Sequence, residues 1–198
     1  MSFQTLIQIS NSENIGINKK EVLRYLGACE VSEEINEMIE EIAPDVYRSV
    51  GFKAVYITVD LKIDGDLVDM GFTCVKSRAL AKNLTGCKNA FVFAATLGLE
   101  NDRAIERNFK LDTARASIYN CISTALIESF CDYVNDYLGK DKKLRPRFSP
   151  GYGDFSITHQ KDVINALDAN RKIGITLTDS YMMKPSKSVT AVIGIERE

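Results

Sequence analysis

The chain has 198 residues, with 25 Lys+Arg against 27 Asp+Glu for a net charge of -2, 45% apolar side chains and one histidine, His159. That length can bury a sizeable core, and the balanced charge argues against a nucleic-acid binder that works through a basic field. The lone histidine excludes multi-His metal sites and an HExxH protease.

In chain order, Phe3–Ile9 reads as a short strand. Asn18, with Glu21 three residues on, is a capping-box start for a short helix, and Gly27 suits its C-cap. A second helix begins at Ser32, with Ile35, Met38, Ile39 and Ile42 on one face. Pro44 is expected to end that helix, kink it or open a new turn, because it lacks an N–H. Lys53–Ile63 is β-branched and reads as a strand, Asp64-Gly65-Asp66 as a turn, and Leu67–Val75 as the return strand. Ser77–Leu84 forms a short helix. Ala90–Ala95 is a continuous apolar run, as expected of a central strand buried on both faces. Glu100–Phe109 is helical. Asp112 caps a long helix with a wide apolar stripe that stops at Gly139. Thr158–Ala169 reads as a helix. Ile173–Thr178 and Ser188–Ile195 read as strands around a loop at 179–187.

The fold class is therefore α+β: a mixed or antiparallel sheet with hairpins, packed against several helices including one long central helix. GxGxxG and GxxxxGK[ST] are both absent, so dinucleotide and P-loop sites have no support. The cysteines, Cys29, Cys74, Cys87, Cys121 and Cys131, form no CxxC. They read as reduced thiols of a cytoplasmic protein, since no signal-peptide pattern precedes them. The most apolar stretch, Ala90–Leu99, is far shorter than the about 20 residues of a membrane span.

The segment Arg145-Pro-Arg-Phe-Ser-Pro-Gly-Tyr-Gly-Asp154 stands out. Pro146 and Pro150 stiffen the backbone. Gly151 and Gly153 permit positive φ or the close approach of a ligand. Arg147 offers a planar fork to a carboxylate or phosphate, and Tyr152 offers an aromatic face. A rigid turn with a surface salt bridge would also fit these residues alone.

RFSPGYGD at Arg147–Asp154 resembles the RxxxGY element of the activation domain of cobalamin-dependent methionine synthase. IGITLTDSYMMKPSKSVTAVIG at Ile173–Gly194 is similar to that domain's second signature. LIESFCDYVNDYLG at Leu126–Gly139 resembles its glutamate-bearing helix, and ATLG at Ala95–Gly98 fits small stand-alone relatives. The resemblance implies one activation-domain-like unit over 1–198, helical over 1–50, with sheet, long helix and ligand loops over 51–198. It implies a module that binds S-adenosylmethionine and supports reductive methylation of Co(II) cobalamin. The cobalamin is carried by a partner, a methionine synthase or other corrinoid protein, and the electron comes from a flavodoxin-type donor. The basic run Lys140–Arg147 is a candidate docking surface or a solvated linker. A non-catalytic corrinoid-protein interaction module and an activator of another corrinoid methyltransferase are the alternatives.

By the same resemblance, Arg147 takes the ligand carboxylate and Glu128 the ammonium. Ser149, Pro150, Gly151 and Tyr152 shape and line the site, and Ser180 and Tyr181 close it around the adenosyl group. Asp132 lies one turn from Glu128, so the pair repels by about 0.2–0.5 kcal/mol if both are exposed and ionised. The family's PACPxH stretch is replaced by GDFSITHQ at Gly153–Gln160, which leaves Asp154 without a role; His159 reads either as the counterpart of the family's histidine or, in preference, as an exposed helix-start residue. An N-terminal aspartate of the family site has Asp60, Asp64 and Asp66 as candidates. The DxHxxG motif that ligates cobalt is absent, which places the cobalamin on another protein.

Overall fold

The computed structural model describes residues 5–8, 15–27 and 32–196. Its centre is β6 (Asn89–Thr96), hydrogen-bonded along its length to β2 (Lys53–Asp60) on one side and β9 (Ser188–Ile195) on the other. β1 (Thr5–Gln8) adds to the far edge of β2, giving an antiparallel sheet in the order β1-β2-β6-β9. Successive strand side chains point to opposite faces, and both faces here are covered. Phe91, Phe93 and Ala95 enter one core with Ala54, Ala191 and Ile193. Ala90, Val92 and Ala94 enter a second core with Val55, Ile57 and Val192. The continuous apolar run predicted for β6 follows from this double burial.

The first core lies under four helices: α1 (Lys19–Leu26), α2 (Glu33–Ser49), α4 (Leu99–Leu111) and α5 (Thr113–Leu138). Asn18 caps α1 through Lys20 N and Glu21 N, and Gly27 ends it at φ 70. Ile118, Ile122, Leu126, Phe130 and Val134 of α5 are buried, so this helix runs through the core as expected. Its N-cap, Asp112 Oδ1, accepts from Ala114 N at 2.9 Å and Arg115 N at 3.0 Å. Asp112→Ala is expected to cost about 1 kcal/mol, seen as a lower urea midpoint at unchanged slope.

The second core lies under α3 (Arg78–Asn83), α6 (Gln160–Leu167), α7 (Ala169–Ile173) and a small sheet of β3 (Lys62–Asp64), β4 (Leu67–Asp69) and β5 (Cys74–Lys76). Strands β7 (Thr176–Leu177) and β8 (Met183–Lys184) form a short hairpin before β9.

Several expectations change. Helix α2 continues through Pro44. The proline is exposed, while Ile39, Ile42 and Val46 on either side are buried, and that burial outweighs one missing backbone bond. The strand read as Lys53–Ile63 breaks at Leu61, whose N–H turns to Lys88 O at 2.8 Å, and β3 joins the other sheet. The return strand Leu67–Val75 is interrupted by a turn where Gly71, at φ 82, donates to Asp69 Oδ1 at 2.8 Å. The helix expected over Thr158–Ala169 is a 3-10 turn at Ile157–His159, then α6, then α7 after Asp168 enters the left-handed region at φ 52. Ile173 ends α7, which leaves only Thr176–Leu177 as strand, and β8 forms inside the expected loop at 179–187. Cys29 lies outside the described residues. Cys87, Cys121 and Cys131 are buried, Cys74 is exposed, and all four are free thiols.

Candidate functional site

The segment after α5 is held along the open edge of β9. Arg145 N donates to Gly194 O at 2.9 Å, and Phe148 and Val192 exchange both backbone bonds at 2.9 Å. Gly194 leaves room for this approach and for the end of α3: a Cβ there would lie 3.2 Å from Arg145 Cγ and 2.7 Å from Cys87 Sγ. Beyond Phe148 the chain folds on itself. Gly151 N, at φ 95, donates to Phe155 O at 2.7 Å, and Tyr152 N donates to Ser149 O at 3.0 Å. Phe148 stacks on Phe155 with centroids 6.4 Å apart and meets the Tyr152 ring edge-on at 5.9 Å. The loop is therefore stiff, as its prolines imply.

Asp154 gains a role here. Its carboxylate accepts from Ser77 Oγ, Arg78 N at 2.9 Å and Ala79 N at 3.1 Å, which pins the loop to the first turn of α3. The Ser77 hydroxyl first, then the Ala79 N–H, hold its pKa below the ordinary 3.8. A carboxylate depressed on folding stabilises the fold above its unfolded value and loses that effect as pH falls through its folded one. Asp154→Asn should therefore be less stable than the parent at neutral pH, with the gap narrowing below about pH 4 in acid titrations of stability. A gap independent of pH would show that the carboxylate charge is not what holds the loop.

Arg147 turns towards α5. Its Nη1 donates to Asp132 Oδ1 at 2.9 Å and its Nη2 to Glu128 Oε2 at 3.4 Å. The repulsion expected between Glu128 and Asp132 is thus answered by a guanidinium shared between them. Cys131, between them in sequence, is buried, and that burial raises its thiol pKa well above the ordinary value. It stays protonated and behaves as a small hydrophobe.

Tyr181 sits in the loop between β7 and β8 at φ 62, a strained backbone for a non-glycine residue. The turn is fixed by Tyr181 N to Thr178 O and Thr178 N to Met182 O, each at 2.9 Å. Ser149, Pro150, Tyr152, Tyr181, Met182 and Thr190 border one cleft of ≈ 220 Å³. Buried Gln160 secures this cleft by donating to Thr190 Oγ1 at 2.7 Å.

The predicted residues therefore fall into two adjoining groups. Arg147 and Glu128 share the ion cluster, and Ser149, Pro150, Tyr152 and Tyr181 line the cleft, with Gly151 setting the turn. Ser180 joins neither group: it is exposed, and its hydroxyl bonds to Thr178 Oγ1 at 3.0 Å. His159 is half-buried rather than exposed, with Nδ1 3.2 Å from Thr73 Oγ1 and 3.1 Å from Asp162 Oδ2. None of the candidate aspartates bonds to Arg147 or lines the cleft: Asp60 accepts from Asn89, while Asp64 and Asp66 belong to the β3–β4 hairpin. Sequence reading missed Gly194 and Gln160, whose signal is tertiary. Another cleft, of ≈ 600 Å³, is bordered by Asp66, Arg78, Lys82 and Cys87, and none of the motif residues reaches it.

Comparison with known proteins adds a family. Residues 80–198, more than half the chain, match the family model described as vitamin B12 dependent methionine synthase, activation domain. Among solved structures, the chain is similar to the one titled "Crystal Structure of the MetH Reactivation Domain bound to AdoHcy". The TM-score is 0.70 at 14% identity, over 97% of this chain and 78% of that one. At that identity the likeness is one of fold. No curated protein sequence matches.

Proposed function

Because this chain belongs to the vitamin B12 dependent methionine synthase activation domain family, we propose that it binds S-adenosylmethionine and supports reductive methylation of Co(II) cobalamin held by a partner methionine synthase. The observation that carries this reading is that one stiff loop carries both Arg147, paired with Glu128 and Asp132, and, from Ser149 on, residues that border the cleft with Tyr181. The ligand's amino-acid group bears one anion and one cation. Arg147 takes the carboxylate as a bidentate partner, and Glu128 takes the ammonium. Arg147 and Glu128 each exchange an internal opposite charge for one on the ligand, and Asp132, 71% exposed, is released to solvent. Tyr152 is 56% exposed, and covering its ring with the adenosyl group removes apolar surface from water. Ser149, Pro150, Gly151 and Tyr181 shape that end of the site, and Ser180 supports the turn that carries Tyr181.

The methyl acceptor is a substrate carried by the partner. One electron from a flavodoxin-type donor, together with the sulfonium methyl group, converts Co(II) cobalamin to methylcobalamin and releases S-adenosylhomocysteine. His159 engages Thr73 and Asp162 through Nδ1 and DxHxxG is absent from these 198 residues, which supports a cobalamin held outside this activation-domain-like unit. The AdoHcy in the similar solved structure supports an adenosyl ligand of this class.

The test mixes the chain with a Co(II)-state corrinoid protein, a low-potential one-electron donor and S-adenosylmethionine. Methylcobalamin should form, followed by visible absorbance, and should depend on the chain. Binding of S-adenosylmethionine without methylation of any corrinoid protein would reduce the chain to an interaction module.

A further inference from the structure

Lys187 immediately precedes β9, and its ammonium is drawn into the protein. Nζ donates to Thr124 Oγ1 on α5 at 2.8 Å. Among the described residues it forms no ion pair with a carboxylate. Asp102, whose charge it feels, is already engaged by Ser186 N at 2.7 Å and Ser186 Oγ at 2.8 Å. Burial lowers the lysine pKa, with Asp102 and then Cys121 pulling it back up. An ammonium has three donors, and one hydroxyl serves only one of them. Asp102 offsets this partly buried charge only from beyond ion-pair distance, so the ammonium's remaining donors are suited to an anion that arrives from outside.

The surroundings indicate where that anion sits. Arg147 precedes Phe148, the partner of Val192 in the second half of β9, whereas Lys187 stands at the start of the same strand. From these two ends both cations reach α5, Lys187 at Thr124 and Arg147 at Glu128. Thr124 and Glu128 are i,i+4 neighbours, about 5–6 Å apart at Cβ. The Arg147 fork is shared by two carboxylates already, while Lys187 has donors to spare.

We propose that Lys187 is a second ligand-binding cation of the S-adenosylmethionine site, holding the ligand carboxylate together with Arg147. This rests on the ligand reading above and adds a residue to it. Calorimetric titration of the full chain with S-adenosylhomocysteine and with its decarboxylated analogue separates the two. Lys187→Met should weaken S-adenosylhomocysteine about 10- to 100-fold and leave the decarboxylated analogue unchanged. Lys187→Arg should keep most of the affinity. The Tm of Lys187→Met should stay level or rise, because an apolar chain of similar length replaces an unpaired buried charge. Wild-type binding that is unaffected by the substitution, or that falls equally for both ligands, overturns the role of Lys187 and leaves the ligand site standing. A wild-type chain that binds neither ligand removes the site and this role together. Should the methionine variant fail to fold, Lys187→Gln keeps a bond to Thr124 without the charge and is expected to give the same ligand-selective loss.

Discussion

Arg147→Ala is expected to weaken S-adenosylmethionine binding by about 100-fold or more, with little change in stability. The variant loses a bidentate, charge-assisted contact to the ligand, of the class that contributes about 1.5–3 kcal/mol. It also leaves Glu128 and Asp132 one turn apart with no cation between them. A hundredfold loss corresponds to about 2.7 kcal/mol. The fold should tolerate the change, because the side chains of Glu128 and Asp132 are 43% and 71% exposed and surface ion pairs contribute only about 0–1 kcal/mol. Arg147→Lys should recover part of the affinity, since an ammonium supplies the charge but not the planar fork. Calorimetry with S-adenosylmethionine reads all three proteins. Equal affinity in the parent and the alanine variant would move the ligand away from this cluster.

Phe130→Ala is expected to destabilise the protein by about 3–5 kcal/mol, the range for removing a fully buried aromatic side chain. Phe130 has no exposed surface. Its ring meets Phe52 edge-on at 5.1 Å and stacks near Tyr133 at 6.5 Å. For a chain of this size the melting temperature should fall by roughly 10 °C. Phe130 lies between Glu128 and Asp132 in sequence, so one stretch of α5 faces the core on one side and the ion cluster on the other. The core anchors the helix that presents both carboxylates. A shift of less than about 1 kcal/mol in urea unfolding would mean that this packing does not hold α5 in place.

Much of the frame was legible because its causes are local. Asn18, Asp112 and Gly27 act on backbone groups within a few residues, so caps and boundaries could be read from spacing. The central position of β6 followed from a run of apolar residues with no polar face. The resemblance supplied Arg147 and Tyr152 because those residues sit in one short motif. Ser180 shares its signature with Tyr181, yet the turn takes its hydroxyl and leaves only the tyrosine on the cleft. A motif marks a segment; the backbone twist within it selects the side chain that faces the site.

The sequence by itself determined the α+β class, the long central helix, the central strand β6 and the stiff arginine-bearing loop. These depend on periodicity, capping and proline and glycine chemistry, which act over neighbouring residues. Only the tertiary structure decided that α2 runs through Pro44, that Asp154 pins the loop to α3, and that Arg147 stands between Glu128 and Asp132. It also left Lys187 partly buried against Thr124, with no carboxylate in ion-pair contact among the described residues. The physical reason is common to all four. Burial and charge pairing are set by which elements pack side by side, and residues 63 apart in the chain, such as Lys187 and Thr124, come within 2.8 Å only once β9 lies against α5.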